Sequence, residues 1–153
     1  SKKGNWTMND YKKINKSHKL SSYEIKIPVW KGVENIRKPF ANWELGKTLD
    51  WWDGYNKSKH DRHNQFEKAT FKNLTNAMCA LITILSAQFE NNEFSSTGKG
   101  LSIGGEPKDG MKSAIGGYFR VKYPNNWSEE DKYGFLYSDI EKGENPITKY
   151  NYV

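Results

Sequence analysis

Apolar residues between Phe71 and Phe89 recur at three- and four-residue spacing: Phe71, Leu74, Met78, Leu81, Leu85 and Phe89. Ala77, Ile82 and Ile84 widen that stripe. The 19 residues from Phe71 to Phe89 contain no Gly or Pro. A pattern of this length and period predicts a buried helix, from about Glu67 to Asn91. Upstream, Thr48 can cap a helix and Asp50 would face its positive dipole end. That helix runs from Leu49 to about Arg62. The two helices form an antiparallel core pair.

Period-two alternation appears twice. Tyr23, Ile25, Ile27 and Val29 point one way, Glu24 and Lys26 the other, which predicts a half-buried strand. Pro28 lacks a donor and assigns that strand to a sheet edge. Phe119, Val121 and Tyr123 alternate with Tyr118, Arg120 and Lys122, giving a partner strand that Pro124 stops. Between these segments, residues 95–117 hold 7 of the 13 glycines and read as a long loop. Ser128 can cap a short helix through Glu129, Glu130 and Asp131. The expected fold is mainly α: a small helical bundle on a two-helix core with a minor two-stranded β appendage. An α+β fold is the alternative if the sheet is larger. Residues 1–20 are polar and read as a basic flexible leader, and residues 21–153 as one domain.

Composition sharpens this picture. A chain of 153 residues is long enough for one hydrophobic core. The net charge is +6, but residues 1–50 carry 11 cations and 5 anions, whereas residues 51–153 carry 13 of each. The excess is therefore the Lys-rich start of the chain, which can attract phosphate backbones or simply be solvated. The single cysteine, Cys79, excludes an internal disulfide framework and reads as a small core residue. The longest apolar stretch, Ala77 to Ala87, is 11 residues, too short for a membrane span. No signal-peptide pattern is visible, so a cytoplasmic domain without membrane contact is expected.

Candidate chemistry concentrates in Trp51 to His63. On one helix, Trp52, Asn56, Lys59 or His60, and His63 share a face. Asn56 and His60 on a packing face need partners, so they either hydrogen-bond the second helix or line a cleft. A zinc site is not expected: His60 and His63 could chelate, but no third ligand has motif spacing. No cofactor motif appears; there is no Gly-x-Ser-x-Gly, and Gly98-Lys99-Gly100 is not a P-loop.

The run Tyr55-Asn56-Lys57-Ser58-Lys59-His60, on a helix followed by a long apolar helix, resembles the HEPN superfamily. Its members are small helical bundles, many of them metal-independent ribonucleases in toxin–antitoxin, abortive-infection and other defence systems. The family motif is an Arg, usually a polar residue, three variable residues and a His. Asn56 and His60 match the polar position and the catalytic His. Tyr55 stands where the family has Arg, and Arg62 follows His60 instead of preceding it. The resemblance covers about residues 48–90, a phrase that also resembles uncharacterised bacterial proteins. It implies an RNA-interacting protein, catalytically weak or inactive, in bacterial defence or a mobile element. If such a protein cleaves RNA, His60, Asn56 and Arg62 are the catalytic candidates. Tyr55, Lys57, Lys59, His63 and Trp52 are then the substrate-binding ones. The competing reading is a protein-interaction module with no nucleic-acid role, its Trp and Tyr residues meeting a second copy or a partner protein.

Overall fold

A computed structural model describes residues 6–89, 109–128, 141–143 and 152. The architecture is α+β, which corrects the expectation of a helical bundle with a two-stranded appendage. Four strands form one antiparallel sheet in the order β2-β1-β4-β3. They are β1 (Glu24–Lys26), β2 (Ile36–Arg37), β3 (Lys112–Ala114) and β4 (Phe119–Lys122). The expected pairing of the two alternating runs is present, with Ile25 opposite Val121. The two added strands are why the sheet is larger. β2 is only two residues long, and β3 arises within the glycine-rich segment, where Lys112-Ser113-Ala114 has no apolar alternation. Residues 95–108 of that segment lie outside the described residues, as does the helix expected after Ser128.

β1 is an inner strand, not an edge. It ends at Lys26, so Pro28 falls in the following turn, where Trp30 N–H donates to the Ile27 carbonyl at 3.0 Å. No ladder bond is then lost to the missing proline donor. Tyr23, Ile25 and Ile27 are buried, while Glu24 and Lys26 face outward. On that outer face Lys26 and Arg120 are direct cross-strand partners. Like charges so placed repel. Asp109 resolves the conflict, accepting from Lys26 Nζ at 2.6 Å and from Arg120 at 3.2 Å. Beside it Glu24 stands directly opposite Lys122, bound to Lys38 at 2.7 Å and to Lys122 at 3.5 Å.

Among the described residues the α-helices of three or more residues are α1 (Met8–Lys12), α2 (Asn15–His18), α3 (Ala41–Glu44), α4 (Asp50–His60), α5 (Arg62–Gln65) and α6 (Phe71–Phe89). Within the segment read as a flexible leader, α1 opens on a Thr7/Asp10 capping box. Met8 and Ile14 pack on the core, and Ser17, His18 and Leu20 are buried. α4 begins one residue later than expected, with Leu49 rather than Thr48 at the N-cap, and stops at His60. Asp61 ends it by capping α5, its carboxylate accepting from the Asn64 backbone N–H. Gly54 lets α4 lie close to α6: a Cβ there would meet the Asn73 side chain and sit 3.1 Å from the Lys68 carbonyl oxygen.

The long helix is present, but its core face is not the expected one. The side chains α6 buries are Thr75, Cys79, Ala80, Ile82, Thr83, Ser86 and Ala87. Small residues there let the helix approach β1 and α4, and the Thr75 and Thr83 hydroxyls donate to carbonyls one turn back. Burial pushes the Cys79 thiol up to about 11, leaving it inert packing. Phe71, Leu74, Met78 and Leu81, the residues that set the period, are exposed.

Candidate functional site

The candidate residues from Trp52 to His63 lie on two helices, not one. Trp52, Tyr55, Asn56, Lys57, Lys59 and His60 belong to α4, while Arg62 and His63 start α5. The face expected to run from Trp52 through His63 is therefore broken at Asp61. Trp52 is half-buried beside Trp51, and its ring lies 5.6 Å from that of Tyr55. Asn56 and His60 neither cross-link to α6 nor enter a cleft. Both are exposed, and neither side chain makes a hydrogen bond among the described residues. They line a shallow, open hollow with Asp53, Lys57, Asp61 and Gln65. Its charge is mixed, not basic.

The cations around that hollow are already engaged. Lys57 pairs with Asp53 at 2.7 Å, one helical turn away. Lys59 Nζ lies 5.7 Å from the centre of the Tyr55 ring, and the Arg62 guanidinium 5.8 Å from that of Phe66. Such contacts orient the side chains without desolvating them, so each remains able to meet a phosphate. His63 is exposed on α5, turned into a separate helical frame from His60. Among the described residues no group of three or more His, Cys, Asp or Glu could hold a metal ion.

No known family model, curated protein or solved structure matches the chain. What the geometry itself offers lies on α6. At about 100° per residue, Phe71, Leu74, Met78, Leu81 and Leu85 form one ridge, set off from the buried face by roughly a third of a turn. Phe71 is 70% exposed, Leu74 57%, Leu81 58%, and Met78 is exposed as well. Leu85 is half-buried at the far end of this ridge. Lys72 is the only charged residue in the whole helix. These are the residues whose period marks the helix, and they face outward, not into the core. The available signal was the second set of small residues at helical spacing, Thr75, Cys79, Thr83 and Ser86.

The structure also singles out His18, which carried no motif. It is buried, its Nδ1 lies 2.8 Å from Ser17 Oγ, and that oxygen lies 3.1 Å from the Tyr152 hydroxyl. Burial lowers the His18 pKa from its ordinary value, against a smaller opposing effect of its hydrogen bond with Ile14. Among the described residues no helix is long and apolar enough to cross a membrane.

Proposed function

We propose that the chain is a protein-interaction module that pairs with a second copy of itself along α6. The outward ridge carries this reading. Phe71, Leu74, Met78, Leu81 and Leu85 follow alternating steps of three and four residues, the spacing at which two helices interlock side by side. The ridge extends for about 21 Å. A helix apolar on both faces and charged at one residue fits a setting in which both faces are covered. A second copy meets the requirement with one surface used twice, as two-fold pairing demands. A cytoplasmic setting belongs to the same reading, supported by the free buried thiol of Cys79.

The test is the mass in solution of the wild type and of a Leu74→Asp/Leu81→Asp double variant, by sedimentation velocity. The expected result is a wild-type particle of twice the 17.7 kDa chain mass and a variant at the single-chain mass. The variant should keep the wild-type circular dichroism, because both side chains point to solvent in the single chain. A wild type that stays monomeric at high micromolar concentration would sink the proposal.

A second reading is an RNA contact at the end of α4, in a HEPN-like protein that is catalytically weak or inactive. Its support is the exposure of Asn56 and His60 one turn apart, flanked by Lys59 and Arg62. Metal-free incubation with labelled RNA, wild type against His60→Ala, checks for ribonuclease activity; equal background cleavage is the expected outcome. Binding that falls by about one log unit per log unit of salt for each phosphate contact would support the RNA contact. No binding at low salt would end it.

A further inference from the structure

Apart from the α4–α5 hollow, a partly enclosed cavity of about 500 Å³ opens between α1, α3 and the C-terminal part of α6. Small-molecule pockets are typically concave spaces of roughly 300–1,000 Å³, mostly apolar with a few polar groups. This one fits on each count. Phe40 and Trp43 are buried with ring centres 4.7 Å apart, and Trp51 stands edge-on to Phe40 at 6.0 Å and 88°. The Trp51 indole N–H is already committed to the Pro39 carbonyl at 2.9 Å, so the ring presents carbon to the cavity. These rings are fixed by the core behind them.

Among the described residues the lining contains no Lys, Arg, Asp or Glu. The titratable base among those residues, His18, is held toward the neutral form by burial. An anion placed against these rings would lose hydration, with no cation among the described lining residues to replace it. Polar groups at the cavity include the His18–Ser17–Tyr152 chain, and Gln88 at the exposed rim, whose amide has no partner among the described residues. We propose that this cavity is a binding site for an aromatic small molecule without negative charge, its rings packed against the wall that Phe40, Trp43 and Trp51 line and one hydrogen-bonding group directed to Gln88. This site is independent of the α6 ridge.

The probe pair N-phenyl-1-naphthylamine and 8-anilinonaphthalene-1-sulfonate differs by one sulfonate and tests both the site and its charge preference. Fluorescence titration of the full chain should give saturable one-to-one binding of the neutral probe and at least tenfold weaker binding of the sulfonate. Ala87→Phe, which fills the cavity from α6, should weaken the neutral probe at least tenfold. Ala87 is buried. Should that variant misfold, Ile84→Trp narrows the same cavity from a half-exposed position and should give the same loss. Equal affinity for the two probes would overturn the proposal. So would neutral-probe binding that survives Ile84→Trp, or that is lost in Leu74→Asp/Leu81→Asp, which would place the probe on the α6 ridge.

Discussion

Asp109 shows how one side chain settles a conflict that strand pairing creates. Lys26 and Arg120 must face each other because Ile25 and Val121 are paired one residue away. Asp109 binds both and also accepts from the Met111 backbone N–H at 3.3 Å. The Lys26 ammonium, above all, holds its carboxyl down at about 2. Unfolded, an aspartate titrates near ~3.9. Between those values the unfolded chain binds more protons than the folded one, so this contribution to stability rises with pH. It is complete above the unfolded value and lost as pH falls toward about 2. Asp109→Asn is therefore expected to lower the urea midpoint at pH 6. The gap to wild type should close progressively below pH 4, and raised salt should narrow it at pH 6. A gap that stays constant from pH 6 to pH 2 would refute the ion-pair account.

At the scale of elements, what could be read from the sequence depended on length and on residue size. β1 and β4 were legible because Tyr23, Ile25 and Ile27, and then Phe119 and Val121, alternate over several residues. β2 and β3 were not, being two and three residues long with no alternation of their own. The existence of α6 was legible and its orientation was not. Hydrophobicity marks large side chains, whereas close approach between elements selects small ones. Asn56 and His60 were correctly placed on one helix, but the Asp61 cap that ends it, and with it the exposure of both side chains, follows from local hydrogen bonding that periodicity does not register. The same small-residue logic governs Gly54. In an isolated helix, Gly→Ala gains about 1 kcal/mol. Here the new methyl would displace Asn73, whose amide donates to the Lys68 carbonyl at 2.9 Å, and crowd that carbonyl itself. Gly54→Ala is expected to destabilise the fold by about 1–2 kcal/mol, read from thermal or urea unfolding. A stabilised variant would mean that α4 and α6 are not this close.

At the scale of the whole molecule, the net charge of +6 and the fold turn out to share one segment. Lys12, Lys13, Lys16 and Lys19 sit on α1, α2 and their C-caps, and apolar residues of the same segment close the core: Leu20 is buried, and Met8 and Ile14 pack against the same cluster. The segment's two properties can be separated. Removing residues 1–22 strips three apolar side chains from the core, each worth roughly 1–3 kcal/mol. Set against a typical total stability of about 5–15 kcal/mol, that loss is severe. Lys12→Gln with Lys13→Gln removes two charges from α1 and its C-cap and nothing from the core. The truncated chain should therefore lose most of its near-ultraviolet circular dichroism and its cooperative urea transition. The double glutamine variant should unfold within about 0.5 kcal/mol of wild type. Equal stability of all three proteins would mean that α1 and α2 are an appendage. A large loss in the glutamine variant alone would mean that charge, not burial, holds them in place.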